Sequence, residues 1–211
     1  NEASRGLPRE MVLSPQLQQL SQDCFGKSRT DRQTRPGVSA WAERLHRAAD
    51  QTLVCPECQS SYFLNFRECP WCDEPRPPFA TASIYLRDLE LTDRARNPFN
   101  LVCKVSGKPT PIHRVVCQAG RAVVFSDRVL RGTSDSEPRI YATLDEQRLT
   151  LRGTPECRQV LRHREGRVLK LLNATEHLDL SGGRPSWWLL PDNATGLHRA
   201  LVFQWHAGGP R

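Results

Sequence analysis

The chain has 211 residues, of which 38% are hydrophobic and 25% are charged, and its mean hydropathy is −0.56. This composition excludes collagen and coiled-coil classes and fits a globular protein of one large or two small domains. No apolar run approaches the roughly 18 residues that span a bilayer, so we expect no membrane anchor. Residues 1–8 lack the pattern of a signal peptide, and we expect a cytoplasmic protein of which this chain is a part.

The net charge of +7 is unevenly distributed along the chain. Residues 51–78 contain two basic and four acidic residues, whereas residues 79–211 contain twenty basic and thirteen acidic residues. Only four of the thirty basic residues are lysines. This arginine bias fits planar recognition of phosphate or carboxylate groups, and equally a GC-rich coding sequence.

Residues 1–53 have the pattern of a helical segment. Ser14 and Pro15 predict an N-cap and a first helical position, and apolar residues then recur at helical spacing as far as Phe25. A polar stretch over residues 26–36 precedes a second helix, for which Ser39 is the predicted cap. The predicted apolar face of that helix consists of Val38, Trp41, Leu45 and Ala49.

Short motifs in this segment follow one another in a characteristic order. They are Leu13-Ser-Pro-Gln-Leu-Gln-Gln-Leu20, Cys24-Phe25, Asp31, Arg35-Pro36 and Trp41-Ala-Glu-Arg-Leu45. In this order they resemble the end of the C-lobe of a bacterial Ser/Thr protein kinase. The resemblance implies an upstream kinase domain and structural roles for Arg35, which would pair with a glutamate of the activation segment, and for Trp41 in the last helix.

The chain itself lacks the motifs with which kinases transfer phosphate. It has no Gly-rich loop, no strand lysine in a Val-Ala-x-Lys setting, no His-Arg-Asp catalytic loop and no Asp-Phe-Gly motif. We therefore predict that this chain has no catalytic residues and is not an enzyme, whatever the activity of the protein to which it belongs.

Four of the eight cysteines form two identical motifs, Cys55-Pro-Glu-Cys58 and Cys69-Pro-Trp-Cys72. Two such units at this separation predict a tetrahedral site in which Cys55, Cys58, Cys69 and Cys72 bind one structural Zn²⁺ per chain, and the segment resembles a zinc ribbon. Residues 60–66, between the units, predict one short hairpin. A catalytic zinc and a redox or iron–sulfur site are the alternatives that these cysteines leave open.

We predict three regions, with boundaries at residues 1–53, 54–78 and 79–211. The middle region combines the ribbon with a stiff linker, because prolines at positions 75, 77 and 78 interrupt both helix and sheet. The last region is predicted to be an all-β accessory domain, folded as an antiparallel sandwich or barrel. Its predicted strands lie near residues 83–91, 101–105, 112–118, 122–125, 139–144, 148–152, 158–163, 168–172, 187–190 and 200–205.

One arginine-rich stretch in the β domain is a candidate binding patch. In an extended strand Arg158, Arg162 and Arg164 would share one face, and Arg167 follows them closely. This patch would suit an acidic partner. The alternative is a solvent-exposed hairpin face whose charges prevent edge-to-edge pairing.

These features predict a mainly β protein with an N-terminal α segment, acting as a non-catalytic zinc-binding docking region of a bacterial protein kinase. Kinases in which a zinc ribbon follows the C-lobe resemble those of tellurite and metal-stress resistance systems. The resemblance implies a von Willebrand factor A-type protein as partner. The alternative is a nucleic-acid-binding protein that uses the ribbon and the basic β domain, which the acidic charge of the ribbon disfavours.

Overall fold

A computed structural model describes residues 13–26, 30–88, 104–105, 108–163, 168–170, 173–182, 185, 187–192 and 197–209. The protein is mainly β with N-terminal helices, as the sequence predicted. The chain divides into two units, one formed by residues 1–77 with 208–211 and the other by residues 78–207. None of the described helices is long and apolar enough to cross a membrane.

The first helix, α1, spans Pro15–Phe25 and begins as predicted. The Ser14 hydroxyl accepts a hydrogen bond from the Leu17 amide at 3.4 Å, and Pro15 occupies the first turn, where its missing N–H is not needed. Leu20 is fully buried and anchors the helix. One N-cap, Ser14, and one buried side chain, Leu20, therefore stabilise the helix.

The second helix, α2, spans Val38–Asp50 and differs from the prediction in two respects. Its N-cap is Gly37 rather than Ser39, and its buried residue is Ala48 rather than Ala49. Much of the predicted apolar face is exposed: Val38 is 86% exposed and Leu45 is 50% exposed. The reason is physical, since two short helices cannot cover the full apolar stripe of each other.

The second unit contains two antiparallel sheets. Their strands are β3 Phe79–Asp88, β6 His113–Gln118, β7 Val123–Ser126, β8 Pro138–Asp145, β9 Arg148–Gly153, β10 Gln159–His163, β11 Val168–Lys170, β12 Thr175–Asp179, β13 Trp187–Pro191 and β14 Leu197–His206. The six-stranded sheet has the order β11-β10-β13-β14-β3-β6, and the four-stranded sheet has the order β12-β9-β8-β7. A separate two-stranded hairpin pairs β4 Lys104–Val105 with β5 Lys108–Pro109.

The two sheets form a sandwich rather than a barrel. Among the described residues they share no strand, and inward-facing side chains of both sheets form one apolar core. Residues alternate between buried and exposed along β8 and β9, as expected where one face of a sheet packs inward. The largest fully buried side chains of this core are Phe125, Phe203, Ile84, Ile140, Leu149, Leu151, Leu161 and Leu178.

Three elements of this unit are absent from the prediction, and one of them is the two-residue strand β5. Strand β12 lies at the edge of the four-stranded sheet, and a short helix, α3, spans Asp127–Leu130. Parts of three predicted strands, at residues 89–91, 101–103 and 171–172, lie outside the described residues. The remaining predicted strands are present, most of them with ends shifted by one to three residues.

An arginine of strand β14 binds the C-terminal end of α3. The Arg199 guanidinium donates to the carbonyl oxygens of Arg128 at 2.8 Å and Val129 at 3.1 Å. Gly132 follows the helix with a φ of +83°, and a Cβ placed there would lie 2.6 Å from Arg199 Nη2. Gly132 is therefore required both for its backbone conformation and for the space that the guanidinium occupies.

We expect Gly132→Ala to destabilise the β unit by about 2–4 kcal/mol, because it adds left-handed strain and displaces the charged hydrogen bonds of Arg199. Gly120 provides the matched control, since its φ is +75° but no atom lies within 4 Å of a Cβ built there. Gly120→Ala should cost only the strain, about 1–2 kcal/mol. Chemical denaturation of both variants measures the difference, and equal losses would show that Arg199 does not need this space.

Candidate metal centre

Each Cys-Pro-x-Cys motif forms the turn of its own hairpin. Strand β1, Thr52–Val54, precedes the first motif and pairs with β2, Ser61–Phe63, which follows it. An isolated bridge between Glu68 and Pro75 flanks the second motif in the same way. The prediction of one hairpin within residues 60–66 is therefore wrong, because the first cysteine pair itself makes the turn and the partner of β2 lies before it.

The two turns have the same backbone hydrogen bonds. In the first, the Cys55 amide donates to Ser60 O at 2.9 Å and the Gln59 amide donates to Cys55 O at 3.1 Å. In the second, the corresponding bonds join Cys69 to Glu74 O at 2.7 Å and Asp73 to Cys69 O at 2.9 Å. Gln59 and Asp73, the residues after each second cysteine, both have left-handed φ values, of 59° and 58°. The ribbon therefore contains two copies of one turn.

The two turns bring the four predicted ligands together. All four Sγ atoms lie within 4.8 Å of one another. Cys55 Sγ is 3.5 Å from Cys72 Sγ, and Cys58 Sγ is 3.5 Å from Cys69 Sγ. These distances exceed the roughly 2 Å of a disulfide. They lie close to the separation of about 3.8 Å between sulfurs in a tetrahedron with Zn–S bonds of about 2.3 Å.

Burial and hydrogen bonding give the cysteines unequal acidities. Cys55 and Cys69 are buried, whereas Cys58 and Cys72 are exposed. The hydroxyl and the amide of Ser60 stabilise the Cys58 thiolate and lower its pKa to about 6. Burial raises the pKa of Cys69, although the amides of Trp71 and Cys72 oppose this rise.

The pKa of the second exposed thiol, that of Cys72, indicates that the cluster requires a cation. A hydrogen bond from the Glu74 amide favours the thiolate of Cys72. Desolvation of this sulfur and the adjacent sulfurs of Cys58, Cys55 and Cys69 outweigh that bond and raise the pKa of Cys72 to about 12. Four thiolates this close repel one another, so they are stable together only around a cation. Soft sulfur ligands in a tetrahedral set of four favour Zn²⁺ or an iron–sulfur centre over hard cations.

Tyr62 is a buried neighbour of the cluster that the sequence pattern did not reveal. Its side chain is 2% exposed, and its hydroxyl has no hydrogen-bond partner among the described residues. Burial, together with the charges of Cys55 and Cys69, raises the pKa of Tyr62 to about 12. The phenol therefore stays neutral beside the cluster.

The left-handed residue of the first turn provides a test of this local geometry. We expect Gln59→Gly to leave zinc affinity unchanged or slightly raised, because glycine adopts a positive φ without strain. Gln59→Val should lower the affinity about tenfold relative to Gln59→Gly, since left-handed backbone costs about 1–2 kcal/mol in a residue with a Cβ. Competition with a chromophoric chelator measures both.

Glu57→Val is the control for this pair, because Glu57 lies in the same turn and has no left-handed φ. It should bind zinc as the parent chain does. Equal affinities of Gln59→Val and Gln59→Gly would contradict the hydrogen-bonded turn described above.

Part of the predicted linker belongs to the ribbon. The Arg76 amide donates to Arg67 O at 2.9 Å, and the Arg76 guanidinium donates to Leu64 O at 3.1 Å. Pro75 pairs with Glu68 in the isolated bridge. Proline is tolerated there because an isolated bridge has no further strand that requires its missing N–H. Residues 73–76 of the predicted stiff linker, which spans residues 73–78, therefore take part in the hydrogen bonding of the ribbon.

Two of the four arginines of the predicted patch, Arg158 and Arg162, lie within the described residues. Strand β10 begins at Gln159, so Arg158 precedes it and donates to the carbonyl oxygens of Pro155 and Cys157. Arg162 lies on the strand and is half-buried, with its Nε shielded from solvent. Arg164 and Arg167 lie outside the described residues.

The face that carries Arg162 also differs from the predicted solvent-exposed surface. Val160, Leu190 and Ala200 form a small buried cluster there, and Trp188, the register partner of Arg162, packs against it. Within the described residues, Arg162 therefore shares this face with apolar side chains that are buried or half-buried.

Neither of the two residues with a predicted structural role in the helical segment is fully buried. Arg35 is exposed in the segment between the helices. Trp41 is half-buried and makes an edge-on contact with Phe25, whose ring centroid is 6.5 Å away. Of the cysteines outside the cluster, Cys117 and Cys157 are buried thiols, Cys24 is half-buried, and Cys103 lies outside the described residues.

Comparison of the chain with models of protein families, with characterised proteins and with solved structures gives no match.

Proposed function

We propose that this chain is a non-catalytic, zinc-stabilised docking region of a bacterial Ser/Thr protein kinase and that it recruits a partner protein. The observation that carries the proposal is the closed cluster in which four cysteines supply all positions of a tetrahedral metal. Such a set leaves no position for a water or a substrate. The metal would therefore stabilise a fold rather than perform chemistry.

Exposed apolar side chains on the same unit support a docking role. Among the described residues, four of the seven exposed large hydrophobic side chains belong to residues 1–77. They are Phe25, Val38, Leu45 and Trp71. Large apolar side chains on a folded surface favour contact with another protein, because burying them removes apolar area from water.

The proposed partner is a von Willebrand factor A-type protein, as the resemblance to metal-stress kinases implies. Calorimetric titration of the zinc-loaded chain with such a protein from the same organism tests this. Binding should be lost after zinc is removed by chelation and retained in Cys24→Ser, which changes a thiol outside the cluster. Equal affinity with and without zinc would contradict a zinc-dependent docking role.

A nucleic-acid-binding role predicts a different result in the same experiment. Affinity for a 20-base-pair duplex would exceed that for the protein partner and would fall steeply between about 50 and 200 mM salt, through counterion release. That outcome would replace the docking proposal.

We also expect the purified chain neither to hydrolyse ATP nor to transfer its phosphate, because its sequence lacks the groups that hold phosphates and magnesium in kinases. A radiolabelled-phosphate assay measures this. Turnover that disappears on substitution of a residue of this chain would contradict the expectation.

A further inference from the structure

The two turns of the ribbon differ in the residue between proline and the second cysteine. This position is Glu57 in the first turn and Trp71 in the second. Both residues are exposed, and the Trp71 side chain is 49% exposed. Because the two turns share their backbone hydrogen bonds, the turn does not require an indole at this position.

The Trp71 indole is presented to solvent by a rigid backbone. Its own amide and that of Cys72 face the Cys69 sulfur, so the backbone of the turn is fixed by the cluster. Among the described residues the indole makes no ring contact and no hydrogen bond. A half-exposed tryptophan on a turn held by the cluster suits a recognition contact, because little entropy is lost when it binds.

The surroundings of Trp71 are negatively charged. Glu68 and Asp73 are exposed and lie within three residues of it, so their Cα atoms are at most about 11 Å away, about one Debye length in 0.1 M salt. Residues 51–78 contain two basic residues. The Arg76 guanidinium donates to a backbone carbonyl of the ribbon, and Arg67 is exposed next to Glu68, so the acidic residues remain in excess by two.

Metal binding makes the ribbon more negative. Residues 51–78 contain two more acidic than basic residues. A zinc dication bound by four thiolates carries a formal charge of about −2, which adds to this excess. The loaded ribbon therefore attracts cations and repels phosphate groups.

We infer that the metal-loaded ribbon binds an arginine-rich segment of a partner protein, with the Trp71 indole contacting a guanidinium. Arginine is attracted to the face of an indole, and the surrounding carboxylates and the anionic cluster add to this attraction. This inference rests on the proposed docking function and specifies its partner's chemistry. It also explains why an exposed aromatic residue lies on an acidic rather than a basic surface.

The probe is a fluorescein-labelled peptide of alternating Gly and Arg, titrated into the zinc-loaded chain and followed by anisotropy. Trp71→Ala should weaken binding by 5-fold or more, whereas Trp71→Phe, which keeps an aromatic face, should weaken it by less than 3-fold. Leu197→Ala, a change at an exposed apolar residue of the β unit, is the matched control and should have no effect.

Each variant is analysed for zinc, so that loss of binding is not confused with loss of the ribbon. If Trp71→Ala does not retain zinc, Trp71→Gln replaces it, since glutamine is the uncharged counterpart of the glutamate in the first turn and adds no charge. Glu68→Gln should weaken peptide binding at low salt. A citrulline version of the peptide, which has the same shape but no charge, should bind at least 10-fold more weakly than the arginine peptide.

Three results would overturn this inference. They are equal peptide affinity of the zinc-loaded parent and Trp71→Ala, equal binding of the citrulline peptide, and tighter binding of single-stranded oligo-dT than of the arginine peptide. If the arginine peptide fails while the von Willebrand factor A-type protein still binds in a zinc-dependent manner, this inference fails and the docking function stands. If both fail, the docking function fails too.

Discussion

Replacing Cys58 by Ser is expected to abolish stoichiometric zinc binding and to unfold the ribbon, while residues 78–207 keep their own cooperative transition. The ribbon has too few buried side chains to fold without metal, and structural zinc contributes apparent free energies of about 10–16 kcal/mol in small domains. The β unit has its own apolar core and does not depend on this contribution. Elemental analysis should give one zinc per chain for the parent and near zero for Cys58→Ser.

Cys24→Ser is the control, because Cys24 lies on α1 outside the cluster. It should retain full zinc content and both thermal transitions. Two metals per chain, or the visible absorbance of an iron–sulfur centre, would contradict the zinc assignment. A single transition that disappears in Cys58→Ser would show that the β unit does not fold independently.

The second large effect is expected at a buried carboxylate in the β unit. Asp127 is 7% exposed at its side chain and accepts from Arg139 Nε at 3.0 Å, while Arg131 Nε lies 3.5 Å away. Asp127→Asn keeps the shape but removes the charge that holds Arg139. We expect a loss of about 3 kcal/mol, at the low end for a broken buried pair, because Arg139 keeps only the more exposed carboxylates of Asp135 and Glu137. For a domain of this size the loss corresponds to about 10 °C in Tm.

Glu137→Ala provides the comparison, since Glu137 contacts the same arginine at 3.3 Å but is 72% exposed at its side chain. Solvent screens such a pair, and its loss should cost less than about 1 kcal/mol. Calorimetry of the two variants and the parent distinguishes the cases. Similar Tm values for Asp127→Asn and Glu137→Ala would show that burial does not strengthen the Asp127 contact.

The candidate metal centre could be predicted because coordination chemistry is local. Two Cys-Pro-x-Cys units specify their turns by themselves, and the structure places all four sulfurs together. The strand pairing around them could not be predicted in the same way. Strand β1 has only three residues, too few to show a two-residue period, and its partner lies beyond the first cysteine pair.

The elements missed in the β unit depend on distant residues. Strand β12 buries only Leu178 and contributes polar residues to the open edge of its sheet, so its hydrophobic alternation is weak. Helix α3 has four residues and is held by Arg199 and Arg139 from other strands. Neither the edge position of β12 nor these arginine contacts to α3 can be inferred from neighbouring positions in the sequence.

The arginine stretch differs from the prediction in where its strand begins. It assumed that pairing begins at Arg158, whereas the first paired residue is Gln159. It also assumed an open outer face, although Val160 on that face is 8% exposed. The period of two gives the alternation of side chains but cannot tell which of the two faces is covered.

The hydrogen bond from the Gly209 amide to Arg76 O, 2.8 Å long, has a consequence for the order of folding. These residues are about 130 positions apart, and closing a flexible loop of that length costs several kcal/mol in chain entropy. Strands β3 and β14 remove this cost, because they pair Phe79 with His206 and so bring both ends of the intervening chain together. We therefore expect the β unit to fold before the C-terminal residues join the ribbon. A chain translated only as far as β13 already contains the four cysteines but cannot make this last contact.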